Sequence, residues 1–320
     1  VLVSLAISPP AHAGENTPEA PTPQWRVASS SARGVMADFR NVSVGPAIFR
    51  AVRLRARTTM LRWHVGSIDP PRHIFVPRDA GPSIDWASEG LAGVVAAFNG
   101  GFKVAAHAGG SIVDGVILAP LVKGMASIAL NAQGQWEMGV WGSAGFPSAG
   151  FDPIAVRQNL APLVQAGRPT ALALAANQRV WGDPLGGILP EARSGLGVDA
   201  NGNLIYVATM HRVLGSDVAR ALVAAGAVFG MELDMNPFWP MVGVASSPLH
   251  RPAAYTWGLP QSENNPAVFN TGWQRDFFVA VARPDQWNCD WRSPGLGLGV
   301  RGAQPQVIQR VCDVVTTTIP

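Results

Sequence analysis

The sequence predicts an α+β fold, with mixed β-sheets, packed helices and two similar sheet lobes in one compact domain. Three observations carry this. Two strand pairs flank Asn/Gly-rich turns, Asn131-Ala-Gln-Gly134 and Ala200-Asn201-Gly202, and Asn-Gly is a strong hairpin signal. A helical run follows the second hairpin, with Ser216 as its cap, Val218, Leu222 and Ala225 on one side and Gly226 as its stop. The next run, Gly226-Ala-Val-Phe-Gly-Met-Glu-Leu-Asp-Met-Asn-Pro237, is an apolar strand ending in polar residues. Hairpin, helix and strand in that order point to sheets with helices packed on them.

The chain has 320 residues, 48% of them apolar and 14% charged. That is ample for a core and too apolar for disorder. A net charge of +3, without any Lys/Arg-rich run, gives no reason to expect a nucleic-acid partner. Eleven Trp stand against two Tyr, and Trp suits both cores and sugar-stacking platforms.

Residues 1–13 read as the remnant of a secretory signal. A short apolar run precedes Ala11-His12-Ala13, which fits cleavage before Gly14. Nothing else approaches the ~18 apolar residues of a membrane span. Residues 14–30 form a Pro-rich linker, and the domain covers 31–320. Within it, Ala51–Arg57 and Leu61–Val65 read as strands, the latter with Leu61, Trp63 and Val65 on one face. Ser83 caps a short helix through about Glu89, ended by Gly90. Val94–Phe98 is a compact strand running into Asn99-Gly100-Gly101, where the backbone turns sharply or something approaches it closely. Asp114-Gly115 is a second tight point. Ala126–Leu130 with Gln135–Val140, and Leu196–Asp199 with Asn203–Ala208, are the two hairpins. Phe151–Gly167 reads as a partly helical connection. Residues 237–271 are a long loop region beside the site, Phe277–Ala282 is a late core strand, and 283–320 is a C-terminal tail. Cys289 and Cys312, the only cysteines, suit one disulfide pinning that tail in an exported chain.

In a strand, residues two apart share a face at roughly 6.5–7 Å. Glu232, Asp234 and Asn236 therefore point to one side, and two carboxylates at about that spacing suit acid/base work on a glycosidic bond. The same pattern also fits an ordinary charged strand end.

The order of motifs adds to this reading. Ala97-Phe-Asn-Gly-Gly-Phe102, Asp114-Gly115, Gln158-Asn-Leu-Ala-Pro-Leu-Val-Gln-Ala-Gly167, Arg193-Ser-Gly-Leu-Gly-Val-Asp199 and Leu233-Asp234 together resemble the phosphodiester glycosidase family. The resemblance spans roughly residues 50 to 282. It implies an exported hydrolase acting on a sugar-1-phosphodiester of envelope or extracellular polysaccharide. It makes Asp234 the leading base or nucleophile and Glu232 its partner. Arg193 is then the phosphate ligand, since a guanidinium binds phosphate bidentately. Asn99, Gly100 and Gly101 become donors to the substrate, and Asp114 and Asn236 further binding residues. His107 and His211 are candidate acids. No cofactor and no metal are called for, and the partner is a carbohydrate or sugar phosphate. One departure matters: the family usually reads Asn-Leu-Asp-Gly-Gly-Gly-Ser where this chain has Glu232-Leu-Asp-Met-Asn-Pro-Phe238. The lost glycines open an alternative, a non-catalytic carbohydrate-binding envelope protein on the same fold.

Overall fold

The computed structural model describes residues 24–70, 80–260, 262–286, 288–292 and 309–313. The signal-like residues 1–13 lie outside them. Three sheets dominate. The largest has eight strands in the order β1 (Arg26–Ser31), β2 (Gly34–Val44), β3 (Ala47–Leu54), β14 (Leu204–Val213), β13 (Glu191–Asp199), β15 (Ala227–Met235), β11 (Val164–Gln165) and β12 (Arg168–Pro169). A second runs β7 (Val116–Ala119), β6 (Ser111–Val113), β10 (Pro153–Gln158), β8 (Ala126–Asn131) and β9 (Trp136–Val140). The third runs β17 (Tyr255–Gly258), β16 (Val242–Ala245), β5 (Val94–Asn99), β18 (Phe277–Ala282) and β4 (Thr59–His64). A separate ribbon pairs β19 (Asn288–Arg292) with β20 (Gln309–Asp313).

This corrects the expected α+β class. Every strand pairing among the described residues is antiparallel. Only two α-helices occur there, α1 (Glu89–Ala92) and α2 (Gly215–Ala224). The fold is mostly β-sheet. The stretch Phe151–Gly167, expected to be partly helical, supplies β10 and β11. Pro153 and Pro162 bound a segment too short for a stable helix, and Val156, Arg157 and Gln158 find partners in Ala129, Ile128 and Ser127 of β8. Residues 237–271 hold β16, β17 and a 3₁₀ turn at Pro266–Asn270. The two look-alike hairpins sit in sheets of different size, so they do not mark two similar lobes. β1 starts at Arg26, inside the stretch assigned to the linker.

The core sits between the three sheets. Leu54, Leu196, Tyr206, Met231 and Leu233 from the large sheet meet Ile128 and Leu130 from the second and Leu61, Phe98 and Phe278 from the third. Alternate residues of β14 face the other way: Ile205 and Val207 pack with Val218 and Leu222 of α2. The large sheet is covered on both faces there, which explains why Leu204–Ala208 is continuously apolar. β18 divides likewise, with Phe277, Val279 and Val281 packing beneath Phe269 and Trp273. α2 is capped by Asp217, whose carboxylate accepts the Leu214 N–H at 3.0 Å. Ser216 lies in the first turn, where its N–H donates to Gln178 at 3.0 Å.

In the ribbon, Cys289 stands opposite Cys312 in register. The side chains of both lie outside the described residues.

Candidate active site

Four segment ends meet at one place: the end of β15, the Asn99-Gly100-Gly101 turn after β5, the Arg157–Asn159 end of β10, and Arg275-Asp276 just before β18. The end of β15 does not keep the simple alternation. Between Arg193↔Met235 and Gly195↔Glu232, one intervening residue of β13 faces two of β15. Such a bulge re-aims the side chains around it. Glu232 follows its partner Gly195, on whose side Val218 and Leu222 of α2 lie. There it forms an ion pair with Arg193, both side chains fully buried. Arg193 also donates to the Trp181 carbonyl at 2.8 Å and the Val213 carbonyl at 3.2 Å. Burial pushes the Glu232 carboxyl up to about 7, against the pull of Arg193. Neither residue lines the cleft described next.

Asp234 opens into a cleft of about 350 Å³, within the usual range for a small-molecule site. Its backbone is fixed on both sides: its N–H donates to Gly100 at 3.0 Å, and its carbonyl accepts from the Ser194 hydroxyl at 2.8 Å. Oδ1 accepts the Met235 N–H at 2.9 Å. Oδ2 lies 2.8 Å from Arg275 Nη2, but the alignment is not that of a hydrogen bond and the oxygen has no hydrogen-bond partner. Burial raises the Asp234 carboxyl to about 7, with Arg275 pulling it down. Arg275 also donates to the Gly101 carbonyl at 3.0 Å and stacks 5.1 Å over the Trp239 ring. On its other side, Nε lies 3.8 Å from Asp69 Oδ2. Burial raises Asp69 as well, again opposed by Arg275. Lys103, Arg179, Asp183, Phe102 and Trp239 complete much of the wall.

The glycine pair serves a close approach, and what approaches is the protein itself. A Cβ on Gly100 would lie 2.2 Å from Asp276 Oδ2, and one on Gly101 2.9 Å from Arg157 Nη2 and Asn159 Oδ1. Asp276, fully buried, accepts from Trp63 Nε1 at 3.0 Å, the Gly101 N–H at 3.2 Å and Arg157 Nε at 2.8 Å. The Gly100 N–H donates to the Asp276 carbonyl at 2.9 Å. Asn159 ties the turn to β15, accepting from Phe102 at 2.9 Å and donating to the Glu232 carbonyl at 2.6 Å. Asn99 donates to Ser194 Oγ and the Gly100 carbonyl, both at 3.0 Å, and accepts from Tyr206 at 2.7 Å and Met241 at 3.0 Å. Its amide is spent inside the protein.

The other sequence-selected residues divide. Asn236 lines the cleft at φ 79°, and its Oδ1 accepts the Leu185 N–H at 2.8 Å. Asp114 (φ 45°) and Gly115 (φ 77°) form the two-residue turn between β6 and β7, matching a hairpin with both central residues left-handed. Asp114 borders a different hollow, with Arg62 and Asn131. His107 and His211 are exposed and do not line the cleft. The sequence reading gave no role to Arg157, Asp276, Arg275, Lys103 or Asp69, and quoted Asn159 only as part of a motif. The adjacent charges Arg275-Asp276 before a six-residue apolar strand were a readable signal; Asp69 offered none. Among the described residues, no group of three or more His, Cys, Asp or Glu is placed to hold a metal ion. Among them too, no helix is long and apolar enough to cross a membrane.

No protein-family model and no curated protein matches the chain. Solved structures do. The zebrafish N-acetylglucosamine-1-phosphodiester alpha-N-acetylglucosaminidase catalytic domain, auto-inhibited by its pro-peptide, matches at 14% identity and TM-score 0.47, over 81% of this chain and 87% of that one. A hypothetical protein from Synechocystis matches at 12% identity and TM-score 0.46, over 78% of this chain and 62% of that one. A Burkholderia pseudomallei protein described as exported matches at 10% identity and TM-score 0.41, over 78% of this chain and 75% of that one.

Proposed function

We propose that this protein is an exported glycosidase that hydrolyses a sugar-1-phosphodiester in envelope or extracellular polysaccharide. The observation that carries the reading is Asp234: a buried carboxylate at the floor of a cleft that Lys103 and Arg275 also line, its Oδ2 ion-paired with Arg275 but engaged in no hydrogen bond. Raised to about 7, it exists in both protonation states near neutrality, which suits acid/base chemistry. A half-buried Trp239 and Phe102 offer apolar faces for a sugar ring. Arg275 and Lys103, which line the cleft, take the phosphate role in this reading. Arg193, enclosed with Glu232, positions β15 from beneath.

In the reaction, the bond from the anomeric carbon to the bridging oxygen breaks, and its electron pair leaves with the phosphate monoester. That leaving group is stable as an anion and needs little help from an acid. Ionised Asp234 either attacks the anomeric carbon, forming a glycosyl ester that water then hydrolyses to free sugar and carboxylate, or takes the proton of a water that attacks that carbon directly. The substituted segment after Asp234 favours a second reading, a binding protein without turnover. Met235 is fully buried against Phe102, and Pro237 has no N–H, so backbone donation there is reduced.

The test compares one sugar presented as a phosphodiester and as a neutral alkyl glycoside. Release should be at least about tenfold more efficient from the phosphodiester, the size expected for one charge-assisted contact. Lys103→Ala should erase most of that preference. Equal efficiency for both would contradict the phosphate assignment, and binding without release would favour the second reading.

A further inference from the structure

The segment between β12 and β13 is built unlike the rest of the surface. Among the described residues, eleven large apolar side chains are exposed, and five of them fall within residues 172–188: Leu172, Leu174, Val180, Leu185 and Ile188, at 39–63% exposure. One short segment thus holds nearly half of the exposed large apolar groups. Scattered apolar residues need no explanation, but exposed ones that line a cleft, as Val180 and Leu185 do, call for one.

The segment is also pinned. Trp181 is fully buried in the core beneath α2. Gln178 donates to the Ala173 and Ala175 carbonyls at 3.1 and 2.6 Å and accepts from Ser216. Asn236, from the end of β15, holds the Leu185 N–H. The apolar side chains are therefore held outward by an anchored backbone. Val180 and Leu185 line the same cleft as Asp234 and Lys103. Arg179 is largely balanced by Asp183, 3.2 Å away.

We infer that the group esterified to the far side of the phosphate is an apolar chain, of alkyl, acyl or prenyl type, seated on Val180 and Leu185. The inference rests on the phosphodiester reading above and names the class of its leaving group, placing the scissile bond where the saccharide joins an apolar phosphate ester rather than between two sugars. An amphiphile with an anionic head and an apolar tail matches a cleft whose floor holds Asp234 and Arg275 and whose wall carries Val180 and Leu185. A second sugar, with hydroxyls to satisfy, does not match that wall.

Binding of n-alkyl phosphates from butyl to decyl, measured by calorimetry on the full chain, tests this without requiring turnover. Affinity should rise about two- to fourfold per methylene, as for a chain that leaves water. Leu185→Asn and Val180→Asn should flatten that rise. Both side chains are exposed, so thermal melts should confirm unchanged folding. A flat dependence in the wild type overturns the inference, as does a rise that both variants retain. Binding to phosphatidylcholine vesicles with no dependence on the alkyl phosphate would assign the segment to a membrane surface instead. Chain-length-dependent binding without turnover would sink the glycosidase reading alone. Turnover with flat binding would sink this inference alone.

Discussion

Replacing Asp234 with Asn should change how stability depends on pH. The carboxyl has an ordinary value of 3.8 and is raised to about 7 in the folded protein. Between those values the folded state holds a proton that the unfolded state has released. The contribution is therefore fully present below pH 3.8 and is lost as pH rises toward about 7. Each pH unit is worth about 1.4 kcal/mol, so the whole shift amounts to about 4 kcal/mol. From pH 5 to pH 8 roughly two units remain, or about 3 kcal/mol. Asn cannot ionise and lacks this loss. Equilibrium unfolding in urea at pH 5 and pH 8 should show wild-type stability falling by about 3 kcal/mol relative to Asp234→Asn. Glu232, raised in the same direction, is present in both proteins, and the Asp234 charge is the smallest of the causes acting on it, so most of its contribution cancels. Parallel pH dependences would mean that Asp234 is ionised throughout, and would refute the burial-driven rise of its carboxyl.

Two further substitutions probe the scaffold. Glu232→Gln leaves the buried Arg193 cation without its anion and should cost about 3–5 kcal/mol in denaturant unfolding; no loss would show that the pair does not hold β15. Gly100→Ala places a Cβ against Asp276, 2.2 Å from its Oδ2 and 2.8 Å from its carbonyl oxygen, and overpacking of this kind costs about 1–3 kcal/mol. A fully stable Gly100→Ala protein would contradict the close approach described for that turn.

Much of the sheet structure was readable, because its signals are local. Leu61, Trp63 and Val65 alternate with polar residues, the turns at Asn131–Gly134 and Asn201-Gly202 mark hairpins, and the period of Val218 and Leu222 marks α2. The class was misread for equally physical reasons. β1 and β2 carry mixed polar residues such as Ser29, Asp38 and Asn41, which are buried by neighbouring strands that no local pattern announces. β10 and β16 are short runs among prolines, and their strand character comes from pairing with β8 and β5. At the site, Asp234 was legible as a carboxylate ending an apolar strand. The bulge opposite Arg193 was not, because it depends on register between two distant segments. That bulge sends Glu232 beneath α2 while Asp234 opens into the cleft. Gly100-Gly101 announced a close approach, and only the fold shows that Asp276, Arg157 and Asn159 fill it.

The central claim is that Asp234 carries a hydrolytic reaction. Release of free sugar from a panel of sugar-1-phosphodiesters, by wild type and by Asp234→Asn, tests it most directly. Wild type should turn over, and the variant should fall by at least about a hundredfold, as for loss of a catalytic base. Equal turnover by both proteins would contradict it.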